Sequence, residues 1–120
     1  MPPRKWLFRV RDILDSIEAI EAYVRGLTFE QFAHDRKTVD ATIRNLITIG
    51  EAAANVPFEV QDRYPEVPWD NMRRMRNVIV HAYFGVNLPV IWHTIQDDLP
   101  PLKARLAAIL DEAPEQLNEE

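Results

Sequence analysis

The segment from Trp69 to Phe84 is apolar on too many sides to be an ordinary surface helix. At about 100° per residue, Trp69, Met72, Met75 or Arg76, Ile79 and Tyr83 form one stripe, while Val78, Val80 and Phe84 carry apolar surface into other sectors. Such a helix has to be covered on more than one side. It belongs at the centre of a bundle or at a subunit interface. Pro68 suits its first turn, Asp70 complements its positive end, and Gly85 follows its last turn.

The rest of the chain keeps the same period. From about Arg4 to Arg25, Trp6, Leu7, Val10, Ile13, Leu14, Ile17, Ile20 and Val24 recur at threes and fours until Gly26 ends the pattern. Thr28-Phe29-Glu30-Gln31 has the form of a capping box and predicts a short helix through Phe32, closed at His34-Asp35. Val39, Ile43, Leu46, Ile47, Gly50, Ala53 and Ala54 predict a second long helix from about Lys37 to Val56, ended by Pro57. Its small residues would let a neighbouring helix come close, with Glu51 in the middle of that seam. Residues 58–67 leave room for one or two turns. Asn87 then reads as an N-cap with Pro89 in the first turn. The helix it starts carries Val90, Ile91, Ile95 and Leu99, and Pro100-Pro101 either kinks or restarts it before Leu102, Leu106, Ile109 and Leu110.

No strand alternation, glycine-rich phosphate loop or internal repeat appears. The expected fold is therefore all-α: an antiparallel up-and-down bundle of four to five helices. At 120 residues the chain reads as a single domain over residues 1–112 with an acidic tail at 113–120. A chain without cysteine has no disulfide framework or thiolate metal site, which fits a reducing cytosol. No apolar run approaches membrane-spanning length, and the start has no leader-like apolar core. A cytoplasmic, soluble protein without cofactor is expected. Three scattered histidines make no ligand set, so no metal site is expected.

The motif helix also carries Arg76, Asn77, His81 and Tyr83. Asn77 and His81 stand at i, i+4, and Arg76 and Tyr83 at i, i+7 on a neighbouring face. Arg76 is long enough to swing its guanidinium to the imidazole side, so that a fixed cation, an imidazole, an amide and a phenol border one sector, a set that suits a phosphate ester. Arginine offers planar, permanently charged donors to phosphate oxygens, and histidine is the side chain that exchanges protons near neutral pH. The same residues on an amphipathic helix also serve as a snorkelling cation, a bonded imidazole and a rim aromatic. The net charge of −5 argues against a non-specific nucleic-acid binder. Arg73, Arg74 and Arg76 nonetheless form a local basic cluster, and net charge and site charge are separate questions.

Arg76-Asn77, four residues, His81, Ala82 and Tyr83 resemble the Arg-x4-6-His signature of the HEPN superfamily in the Arg-x4-His-x-Tyr form of HepT toxins. The likeness extends to Ile49-Gly50-Glu51-Ala52, Pro68-Trp69, Ile91-Trp92 and Asp98-Leu99-Pro100, and covers roughly residues 6–110. It implies the same helical fold and a metal-independent endoribonuclease. It further implies the toxin of a toxin–antitoxin pair, working as a homodimer with the two motif helices facing each other. By that likeness Arg76 stabilises charge on the scissile phosphate and His81 acts as general base or acid towards the ribose 2′-hydroxyl. Asn77 and Glu51 support them, and Arg73 and Arg74 contact RNA. Tyr83 would be adenylylated by a nucleotidyltransferase antitoxin of the MntA type. The acidic balance keeps a second reading open: a non-catalytic helical dimer that binds nucleotide or a protein partner through the same cleft.

Overall fold

In a computed structural model, residues 5–84 and 87–112 are described, the side chains of residues 82–84 excepted. The order is α1 (Trp6–Val24), α2 (Phe29–Ala33), α3 (Arg36–Ala54), α4 (Phe58–Arg63), α5 (Trp69–Phe84), α6 (Leu88–His93), a π-helical turn (Thr94–Asp98) and α7 (Leu99–Glu112). Among the described residues there is no strand. α1, α3, α5 and the α6–α7 rod are the long members of an all-α bundle, and α2 and α4 are one-turn connectors. The acidic tail and Gly85 lie outside the described residues.

Local signals set most boundaries. Gly26 takes φ +77°, a conformation open to glycine at little steric cost, and ends α1. The capping box forms as expected: Gln31 N donates to Thr28 Oγ1 at 3.1 Å, and Thr28 N donates to Gln31 Oε1 at 2.9 Å. His34, whose Nδ1 lies 2.7 Å from the Glu30 carbonyl, closes α2. Asp35 does more than end that helix, because its carboxylate accepts from Thr38 N at 3.2 Å and so caps α3. Asn87 caps α6, with Pro89 in the first turn.

At Pro100-Pro101 the α-helix starts again at Leu99, after a π-helical turn that the sequence does not announce. Neither proline can donate, so a continuous α-helix would leave two carbonyls orphaned and press two rings against the preceding turn. The backbone widens instead: Leu99 N bonds back to the Thr94 carbonyl, five residues away. α7 then continues to Glu112 with Leu99, Leu102, Leu106, Ile109 and Leu110 inward.

The core is one cluster. Leu7, Val10, Ile13, Ile17 and Ile20 of α1 meet Leu46, Ile49 and Ala53 of α3, Met72 and Ile79 of α5, and Leu102 and Leu106 of α7. α3 lies between α1 and α5 and packs extensively on both. A second set of contacts ties the ends together. Trp69 Nε1 donates to the Tyr64 carbonyl at 3.0 Å, and the Tyr64 ring lies 6.0 Å from the ring of Trp6. That corner fixes where α5 begins. No helix among the described residues is long and apolar enough to cross a membrane.

Candidate active site

The site is built on the α3–α5 seam. Gly50 makes that seam close: a Cβ there would stand 3.0 Å from the Met72 carbonyl oxygen, 3.1 Å from Arg76 N and 3.2 Å from Arg76 Cβ. Two of those neighbours are backbone, so a side chain there would require α5 itself to shift by a few tenths of an ångström. Glycine at position 50 therefore seats the backbone of Arg76 directly on α3. The next residue, Glu51, uses the proximity: its Oε1 lies 3.6 Å from Arg76 Nε, with both side chains largely exposed.

Of the motif residues, Arg76 and His81 do not share one sector. Arg76 leans towards α3, and its guanidinium is drawn to Glu51 rather than swung to the imidazole side as expected from the sequence. His81 stands five residues on, about 140° around the helix axis. It occupies the exposed face of α5 together with Arg74, Asn77 and Val78. Val78 is 51% exposed, an apolar side chain in the middle of that polar face. The side chain of Tyr83 lies outside the described residues.

Arg73 has its own partners. Its guanidinium pairs with Asp70, donates to Gln61 Oε1 and lies 5.7 Å over the ring of Phe58. Gln61 is itself buried and donates through Nε2 to the Val56 carbonyl at 2.9 Å. Arg74 is exposed.

Along α3, Asp40, Ile43, Arg44, Ile47, Thr48 and Glu51 line an open groove of about 490 Å³. Glu51 joins this groove to Arg76. Read from the sequence, Ile43 and Ile47 are core positions, and the contribution of Arg44 is missed. The signal was present in the spacing, since Asp40, Arg44, Thr48 and Glu51 recur at fours and threes on one face. Among the described residues no cluster of three or more His, Asp or Glu is placed to hold a metal ion.

An all-α bundle with an arginine held against a neighbouring helix by a carboxylate, and an amide and imidazole further along the same helix, defines a HEPN-like domain. The family model described as Ribonuclease HepT-like matches residues 13–109. A protein of Thermococcus cleftensis named as a probable ribonuclease HepT is 46% identical over 96 residues, covering 80% of this chain and 87% of its own length. A provisionally named RNase of Methanocaldococcus jannaschii is 38% identical over 100 residues, 83% of either chain. Another provisionally named RNase, from Caldanaerobacter subterraneus subsp. tengcongensis, is 38% identical over 108 residues, 90% of this chain and 94% of its own. No solved structure matches significantly. The chain belongs to the HepT-like ribonuclease family.

Proposed function

We propose that this ribonuclease is a metal-independent endoribonuclease that cuts RNA by attack of a ribose 2′-hydroxyl on the adjoining phosphate. The observation that carries the reading is the Arg76–Glu51 pair beside a groove, on the helix that also exposes His81, in a chain of a ribonuclease family. His81 takes the proton from the 2′-hydroxyl, O2′ bonds to phosphorus as the P–O5′ bond breaks to leave a 2′,3′-cyclic phosphate, and the departing 5′-oxygen takes a proton from the imidazolium so formed or from water. Arg76 meets the charge that gathers on the non-bridging oxygens, and Glu51 orients Arg76. Asn77, about 40° from His81 on the helix, positions the imidazole or the phosphate. Arg74 adds phosphate affinity from the same face. Arg73 adds it through a guanidinium already steadied by Asp70. The groove beside Glu51 has room for a nucleotide next to the scissile bond.

The angular separation of Arg76 from His81 supports a homodimer. Two copies joined through the Arg74–Val78–His81 face would cover Val78 and gather two motif sets into one cleft. We further infer that the protein is the toxin of a toxin–antitoxin pair, restrained by an MntA-type nucleotidyltransferase that adenylylates Tyr83. An adenylate there brings negative charge and bulk to a site that needs Arg76 free.

Purified protein incubated with total cellular RNA in excess EDTA tests the catalytic reading. Wild type should cut, and folded Arg76→Ala and His81→Ala should not. No cutting by wild type, or equal cutting by the variants, would leave the non-catalytic binding dimer. Co-expression with a cognate nucleotidyltransferase followed by intact-mass spectrometry tests the control. Mass should rise in whole adenylate units and fail to rise in Tyr83→Phe.

A further inference from the structure

Phe58 opens α4 and is 75% exposed, although Val60 and Gln61 of the same short helix are buried. A single exposed apolar side chain calls for no explanation by itself. What singles out Phe58 is the cation built against it. The Arg73 guanidinium lies 5.7 Å from the ring centroid and is fixed by Asp70 of its own helix and Gln61 of α4. Gln61 in turn is anchored to the Val56 carbonyl. The ring and the guanidinium thus form a preorganised aromatic–cation pair whose remaining surface is open to solvent.

That pair stands beside the reactive arginine. Arg73 precedes Arg76 by three residues, about one turn or 5 Å along α5 and about 60° around it. A strand with a phosphate at Arg76 would carry a neighbouring base to the ring within one or two nucleotides. Single-stranded RNA is held in this way, by bases stacked on aromatic rings and guanidinium planes beside cations that track the backbone. We propose that Phe58, backed by Arg73, is a base-stacking subsite for a nucleotide flanking the scissile phosphate. The α3 groove, whose lining includes Glu51, also reaches Arg76 and does not include Phe58. The subsite makes the substrate an unpaired strand, because a base in a duplex has no free face to offer. It also makes the subsite tolerant of base identity, since every base has a π-face.

This inference rests on RNA being the ligand, and the experiment separates it from the catalytic reading. A fluorescently labelled single-stranded oligoribonucleotide is titrated with His81→Ala protein, with and without Phe58→Ala or Phe58→Trp, and the matching His81 proteins are assayed for cleavage. Phe58→Ala should weaken binding and raise KM by roughly 5- to 150-fold, the range of a lost base–aromatic stack, with a much smaller change in kcat. Phe58→Trp should restore both. A double-stranded RNA of the same sequence should bind with no dependence on residue 58. If the oligonucleotide binds but is not cut by wild type, the ribonuclease reading fails while dependence of binding on Phe58 still upholds the stack. Equal binding by the Phe58→Ala protein overturns the stack whatever the cleavage result. So does loss of association with a protein partner while RNA binding stays intact. Unfolding curves for Phe58→Ala exclude a folding defect, which the exposure of the ring argues against.

Discussion

Arg76 Nε and Glu51 Oε1 face each other at 3.6 Å across the α3–α5 seam, a carboxylate on one helix holding the guanidinium that the other presents. An exposed pair of this kind contributes less than about 1 kcal/mol to stability, so its effect lies in where it sets the guanidinium rather than in folding. Glu51→Ala should leave the melting temperature nearly unchanged and lower kcat by about 10-fold, as small misplacements of a reacting group do. KM should move little. Tighter RNA binding in Glu51→Ala would reverse the assignment and make Glu51 a competitor for the arginine.

Gly50 governs the same seam from the backbone side. Alanine gains about 1 kcal/mol over glycine in helix propensity, yet its Cβ would meet the Met72 carbonyl and Arg76 N at 3.0 and 3.1 Å. Overpacking against backbone costs roughly 1–3 kcal/mol, which cancels or exceeds that gain. Gly50→Ala should be no more stable to urea than wild type, and slower in cleavage because Arg76 is pushed outward. Gly50→Val should be worse on both counts. A stabilised Gly50→Ala would mean that the helices have freedom to separate.

What was legible in the chain and what was not divides by sequence distance. The capping box at Thr28 and Gln31, the terminating Gly26 and the cap at Asn87 rest on contacts within a few residues, and each is found where the sequence puts it. The four-rod architecture follows from periodicity alone. Asp35 was local yet missed, since a residue between two helices can close one or open the next. Its bond to Thr38 N settles the matter. The π-helical turn before Pro100 escaped because missing donors call for relief without specifying its form. Long-range partners were out of reach. Glu51 could be set in a seam, but only the fold shows that Arg76 is the side chain it meets. Gln61 and Asp70 claim Arg73, which the sequence offers simply as one cation in a cluster.

Asp35 ties the α3 cap to pH. The hydrogen bond from the Thr38 hydroxyl at 2.8 Å, then that from Thr38 N, hold its carboxyl below the ordinary carboxylate range. A depressed folded-state pKa means stability present in full above the unfolded value of about 3.9. It is lost as pH falls through the folded value. Asp35→Ala should therefore melt below wild type at neutral pH, with the gap holding to about pH 5 and closing in stronger acid. Asp35→Asn keeps an acceptor, and its melting temperature should follow pH less steeply than that of wild type over the same interval.

Thr42 is fully buried in α3, and its Oγ1 has no hydrogen-bond partner among the described residues. An orphaned buried hydroxyl is destabilising, and valine has nearly the same shape. Thr42→Val should be neutral or stabilising by up to about 1 kcal/mol in urea unfolding, with cleavage unaffected. A loss greater than that would show that the hydroxyl is bonded in solution.

Val78 tests the dimer. Trp69, Met72 and Ile79 satisfy the inward side of α5, and Val78 at 51% exposure remains as apolar surface on the face that holds Arg74 and His81. Two-fold pairing through that face would place Val78 near its own counterpart, where an added cation would meet only its twin and the Arg74 guanidinium. An unpaired charge buried at an interface costs on the order of 3 kcal/mol or more, equivalent to a loss of about 100-fold in dimer affinity. Wild type should scatter light as a dimer at micromolar concentration. Val78→Lys should be monomeric yet unchanged in helical content, and it should lose cleavage together with dimerisation. Ala22→Glu, on the exposed side of α1, should leave both intact. A wild type that is monomeric but cuts RNA would remove the partner copy from the site, and Arg76 and His81 would then have to meet the same phosphate around a single helix.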